Sequence, residues 1–215
     1  MSIALMKSAI ASLMVVGLAT ASFAAAPGAA GGAAAPGAAP AATPMAKTVY
    51  DTLVTASTPK ITLTSTSIKS GQPISDDFSQ NGANKSPQLT WTAGPATTKA
   101  YVVVAQDTTT TNATPVQHWM MWNIPSTVTS LPEGVPVGVN PANPAGAMQA
   151  TAGGNAGYRG PKPPAGSVHN YVFQVFALDT TLTGLDTMAN APMLIMAMMG
   201  HVVAAGSFNA PYTGK

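Results

Sequence analysis

Three runs constrain this chain more than anything else in it: "KAYVVVAQD" at 99–107, "VQHWMMWNI" at 116–124 and "HNYVFQVFALD" at 169–179. Each is short, rich in β-branched and aromatic residues, and flanked by turn formers, which favours strands over helices. The first is apolar at consecutive positions and predicts a strand covered on both faces. The other two alternate. His118, Met120, Trp122 and Ile124 are expected on one face of the second, and His169, Tyr171, Phe173 and Val175 on one face of the third. "KITLTSTSI" and "LTW" predict further strands, and "HVVAA" a last one. One helix is legible: Asn190 caps it, Pro192 suits its first turn, "MLIMAMM" fills it and Gly200 ends it. Strand–helix–strand alternation and internal repeats are both absent from the pattern. The reading is a mainly β, mostly antiparallel domain with a few peripheral helices.

The N-terminal part reads differently. Lys7 precedes the short apolar run "SAIASLMVVGLA", and Ser22-Phe23-Ala24 offers the small residues of a signal-peptidase site, with Ala26 as an alternative end. Residues 1–24 are therefore expected to be a cleaved secretory signal and the protein periplasmic or secreted. That apolar run falls short of the roughly 20 residues a membrane span takes, so no integral span is expected. Residues 25–49, dominated by Ala, Gly and Pro, predict a disordered linker. Residues 50–215 have the composition of one globular domain. The chain has no cysteine, so disulfides and a lipid-bearing N-terminal cysteine are excluded. Its formal charge is +2, or +1 once Lys7 leaves with the signal, and no basic cluster points to nucleic acid.

Chemistry concentrates in few residues, because the chain holds only three histidines. His169 follows the rigid corner of "GYRGPKPPAGSVHNYVF" and shares a strand face with Tyr171, about 7 Å away. Asp107 closes the first run and His118 opens the second. Together these would hold a polar head group within an aromatic rim. Plainer roles compete: Asp107 as a turn residue, His118 as a satisfied core group, and His201 as a structural residue after Gly200. The methionines of "MLIMAMM" read as core, since methionine fills irregular gaps. The histidines lack zinc-ligand spacing, and Ser167 sits in no G-x-S-x-G elbow. No metal, cofactor or catalytic residue is expected.

Four segments in register carry a family resemblance: "LTSTSIKSGQPISDDFSQNGANKSPQLTW", "HWMMWNIPSTVTSLPEGV", "GYRGPKPPAGSVHNYVFQVFALDTTL" and "AMMGHVVAAG". From about Ile61 to Tyr212 the chain resembles the phosphatidylethanolamine-binding protein, or Raf kinase inhibitor-like, family, in its bacterial branch. The resemblance implies a Greek-key β-sandwich with a small anion-accepting pocket at one end. Its pocket residues correspond to Asp107, His118, Gly160, Pro161, His169 and Tyr171. The family's Asp-Pro-Asp-x-Pro reads "DTTTT" here, Asp107 to Thr111, which removes one charge and two proline locks. Thr151-Ala152 stands where bacterial relatives carry Asn-Asp.

The function implied is a non-enzymatic binding protein for a small polar or anionic ligand, such as phosphate or a phospho-headgroup. The alternatives are an interaction protein inhibiting a kinase or protease and, third, a hydrolase using the two pocket histidines. If both imidazoles act as cations, phosphate should bind more tightly at pH ~5.5 than at ~8. The uncharged helix predicts burial on all sides, or a contact with a protein partner or a second copy.

Overall fold

The computed structural model describes residues 46–110 and 114–215. The expected signal, the linker up to residue 45 and Thr111 lie outside them. In chain order the elements are α1 (Val49–Leu53), β1 (Leu63–Thr64), a 3-10 turn (Asp76–Phe78), β2 (Leu89–Trp91), β3 (Ala100–Asp107), β4 (Val116–Pro125) and β5 (Ser130–Leu131). There follow β6 (Met148–Gln149), β7 (Thr151–Ala152), β8 (Asn155–Ala156), β9 (Val168–Leu178), α2 (Ala191–Met198) and β10 (Val202–Thr213).

The central sheet runs β10-β9-β3-β4-β6 and every neighbouring pair in it is antiparallel. A second sheet, β1-β2-β5, and the hairpin β7-β8 complete the architecture. The fold is mainly β with few helices, as expected. After β4 the chain crosses residues 126–167 before β9 pairs on the opposite side of β3, a long return compatible with a Greek key.

Burial explains why β3 is apolar from Ala100 to Ala105. Tyr101, Val103 and Ala105 pack into one cluster with Leu63, Leu89, Trp91 and Leu131 of the smaller sheet. Val102 and Val104 pack on the other side, with Val49 of α1 and Leu194 and Met198 of α2. A strand sandwiched between two apolar layers has no polar face to alternate with. Each large side chain buried this way contributes roughly 1.5–3 kcal/mol over leaving it exposed.

The polar residues of this core hold the N-terminal helix in place. Gln106 and Gln174 are buried on adjacent strands, with Gln174 Nε2 donating to Gln106 Oε1 at 3.0 Å. Their remaining acceptor capacity takes the first amides of α1: Val49 N–H donates to Gln106 at 3.0 Å and Tyr50 N–H to Gln174 at 2.8 Å. Thr48 caps the helix in a reciprocal box with Asp51. Thr48 and Val49, read from sequence as the end of the linker, are buried here.

Two elements differ in length from the sequence reading. Regular pairing of the first strand covers only Leu63 and Thr64, because the Ser65 hydroxyl accepts from the amides of Ser67 and Ile68 and turns the chain. The last strand continues far beyond "HVVAA" to Thr213, through Gly206 and Pro211. A proline is tolerated there because β10 is an edge strand of the central sheet.

The helix α2 begins as expected, with Asn190 Oδ1 accepting from Met193 N–H at 3.1 Å. It is not buried on all sides. Leu194 and Met198 face the core, whereas Met193, Met196 and Met199 are 39%, 75% and 62% exposed. Met196→Lys and Met199→Lys should therefore each leave stability within about 0.5 kcal/mol of wild type. Urea denaturation checks this, and a loss of several times that size would return these positions to the core.

Candidate functional site

The C-terminal end of β3 sets the site. Asp107 lies in register with Val116 of β4 on one side and Tyr171 of β9 on the other. Strand alternation carries His169 to the same face as Tyr171, and both line a cavity of about 230 Å³ together with Asp107 and His118. The structure thus brings together four of the six residues read from the sequence.

Asp107 is buried and its two oxygens divide the work. Oδ1 accepts from Thr109 N–H at 2.8 Å, which folds the loop over the strand end. Oδ2 faces His169 Nδ1 at 2.6 Å. An ionised carboxylate only accepts, so His169 Nδ1 carries the proton and Nε2 is the nitrogen offered to a ligand. The Tyr171 phenol faces the charge of the same carboxylate. Burial first, then the charge of Asp107, pushes the Tyr171 phenol far above its ordinary range. It stays a protonated donor.

His118 reaches the pocket by a break in register. Ala105 pairs with Trp119, but Gln106 pairs with Gln117, so His118 is the extra residue of a β-bulge. A second irregularity lies near Asn123, whose φ of 57° is left-handed. The expected common face of His118, Met120, Trp122 and Ile124 is therefore not observed. Met120 and Trp122 pack beneath the helices, Ile124 packs toward the smaller sheet, and His118 packs edge-on against Tyr171, ring centroids 5.1 Å apart at 84°. His118 Nδ1 lies 2.6 Å from the Arg159 carbonyl, which can only accept. The proton again sits on Nδ1.

Burial holds the His118 imidazole below the ordinary histidine range, against the opposing pull of the Arg159 carbonyl and the Asp107 charge. Of the two imidazoles expected to act as cations, His118 therefore resists protonation. The unfolded chain protonates this ring below about pH 6.5 while the folded chain resists, so this group costs the fold stability as pH falls below that value. His118→Gln removes the penalty. Its urea midpoint should fall less than that of wild type between about pH 7 and pH 5, and an equal fall would contradict the effect of burial.

Gly160 and Pro161 build the wall from behind and do not line the cavity. The Gly160 amide donates to Asn84 Oδ1 at 2.8 Å, its carbonyl accepts from Gln80 Nε2 at 2.7 Å, and Pro161 O accepts from Gln80 N–H at 3.0 Å. A Cβ on Gly160 would sit 2.3 Å from the Phe78 carbonyl oxygen, so only glycine permits this approach. What lines the rim instead includes Arg159, Lys162, Pro163 and Pro164. The sequence reading missed the two cations. Arg159 is the single arginine of the chain, beside the quoted Gly/Pro corner, and that was the available signal.

The departure at "DTTTT" also has a physical account. Thr108 N–H donates to Asn170 O at 3.0 Å, a bond a proline cannot make. Thr109 Oγ1 accepts from Asn170 N–H at 2.9 Å. Hydrogen bonds to β9 anchor Thr108, where the family pattern has its first proline, and Thr109, where it has its second acid.

A mainly antiparallel β domain with a small acid–imidazole pocket at one end of its central sheet is the class of protein that fold and site define. The sequence profile described as Phosphatidylethanolamine-binding protein matches residues 64–213, and the chain belongs to that family. It is similar to the UPF0098 proteins of Escherichia coli K12: 35% identical to YbhB over 134 residues, 62% of this chain and 84% of that one. To YbcL it is 31% identical over 160 residues, 71% of this chain and 87% of that one. The crystal structure of YbcL, described as a new member of the mammalian PEBP family, matches at a TM-score of 0.65 and 29% identity over 73% of this chain and 99% of that one. A phosphatidylethanolamine-binding protein homolog from Chlamydia trachomatis matches at 0.62 and 26% identity, over 74% of this chain and all of that one. Among the described residues no helix is long and apolar enough to cross a membrane.

Proposed function

We propose that this chain is an exported, non-enzymatic binding protein whose pocket takes a small phosphate-bearing ligand. The observation that carries this reading is the Asp107–His169 pair at 2.6 Å, set in a cavity whose rim holds Arg159 and Lys162. At about 230 Å³ the cavity is smaller than the roughly 300–1,000 Å³ typical of whole small-molecule ligands, so a headgroup or free anion suits it. Arg159 and Lys162 supply charge to a phosphate, the guanidinium with forked donors. His169 Nε2 and the Tyr171 hydroxyl supply the directional contacts. The phenol, held protonated, is a donor and not a nucleophile.

Calorimetric titration with inorganic phosphate and with phosphoethanolamine, at pH ~5.5 and ~8, tests the reading. His169→Ala is expected to abolish saturable binding of both. His118→Ala should weaken binding and change the ratio of affinities at the two pH values only slightly, because burial holds that ring below the ordinary histidine range. Indifference to His169→Ala sinks the proposal, and ester turnover lost in the same variant would replace it with the hydrolase reading. Export belongs to the same proposal, and N-terminal sequencing of protein from the cell envelope checks it. A start at residue 25 or 27 is expected; intact Met1 on cytosolic protein overturns it.

A further inference from the structure

The solvent face of α2 is made of methionine, and the fold gives no packing reason for it. The inner contacts come from Leu194 and Met198, both fully buried. Met193, Met196 and Met199 succeed one another at three-residue steps, so their side chains form one ridge on the opposite side. Elsewhere in the described residues the exposed large apolar side chains are Met188, shortly before the helix, and three valines, Val116, Val137 and Val168. An exposed cluster of one residue type, unneeded by the core, calls for a reason in the chemistry of that side chain. Methionine differs from leucine by a polarizable thioether sulfur.

The chain then turns back on this ridge. Met199 has φ −60° and ψ 125°, Gly200 has φ +81°, and His201 N–H donates to the Met198 carbonyl at 3.0 Å. That is a type II turn, whose third position requires a positive φ and here has glycine. It brings His201 to the same corner as Met199. His201 is exposed, and its Nδ1 lies 2.9 Å from Asp179 Oδ1. With the proton on Nδ1, the ring presents Nε2 outward, the carboxylate-oriented arrangement that metal-ligating histidines adopt.

We propose that Met196, Met199 and His201, with Met193 at the near end of the ridge, form a site for a soft monovalent metal ion, Cu(I) or Ag(I). Thioethers select soft ions and bind Zn²⁺ or a hard cation poorly, and imidazole accepts soft ions too. Among the described residues no group of three His, Cys, Asp or Glu side chains is placed to hold a metal ion, so a harder ion has no comparable site there. Asp179 adds a negative charge behind the imidazole. The site is independent of the phosphate pocket and draws on none of its residues.

Silver nitrate is the probe, because Ag(I) does not change oxidation state during a titration. The protein is titrated by calorimetry while the methionine methyl and histidine ring resonances are followed. One ion per chain is expected, shifting the methyls of Met196 and Met199 and the ring of His201. The double variant Met196→Leu, Met199→Leu should lose affinity at least tenfold with an unchanged unfolding midpoint, since leucine matches methionine in volume at exposed positions. His201→Gln should lose affinity by a smaller factor. Absence of saturable binding, undiminished affinity in the double variant, or shifts confined to His118 and His169 would overturn the proposal.

Discussion

Replacing Gly160 by alanine is expected to cost the domain about 1–3 kcal/mol, the range of overpacked interiors, and to abolish binding in the pocket. The new Cβ would meet Phe78 O at 2.3 Å, Ser79 Cα at 2.8 Å and Asn84 Oδ1 at 3.0 Å. Two of these contacts are backbone, so no side chain can swing aside to relieve them. The segment 158–161 must then move off residues 78–84, which breaks a set of bonds at once. Tyr158 OH donates to Phe78 O at 2.7 Å, and Gly160 N–H and Gln80 Nε2 cross the same seam. Arg159 lies in the middle of this seam and its carbonyl orients His118. A structural change therefore becomes a binding change. Urea denaturation and phosphate calorimetry on the same sample check both halves. Wild-type stability would contradict the close approach, and wild-type binding would contradict the wall's role in aiming His118.

Asp107→Ala is expected to lose about 2–3 kcal/mol of stability and to erase any preference between phosphate and phosphoethanolamine. The carboxylate accepts from Thr109 N–H and His169 Nδ1, and Asp107 is buried. A hydrogen bond to a charged group contributes about 1.5–3 kcal/mol, and a buried donor left without its acceptor costs a similar amount. The strand end gives water access to His169 and Thr109, so the two losses do not simply add. Asp107→Asn separates shape from charge. It keeps an acceptor for Thr109 and should recover part of the stability. It should not recover the hold on an ammonium group, which depends on negative charge. Comparison of the two ligands across wild type, Ala and Asn variants checks this. A preference for phosphoethanolamine that survives in Asp107→Ala would assign ammonium recognition to another group.

Three of the four long strands, β3, β4 and β9, their approximate ends and the cap and stop of α2 were legible in the sequence. Each rests on information within a few residues: β-branched composition, alternation, an Asn before a Pro, a Gly at the close. The acid and imidazoles of the pocket were legible through the four family segments, and the structure gathers Asp107, His118, His169 and Tyr171 around one cavity. The register of β4 was not legible. Alternation assigns faces only while pairing is unbroken, and a one-residue bulge exchanges the faces of everything beyond it. So the sequence by itself determined that His118 lies on a strand, while the bulge at Gln117–Trp119 decided that it meets Tyr171. The same holds for Gln106 and Gln174, polar residues that read as anomalies in apolar runs until α1 brings them two amides. Arg159 and Lys162 reach the rim, and α2 shows its methionines to solvent, for a like reason. Partners distant in the chain decide which side of a segment is covered, and local pattern carries no record of them.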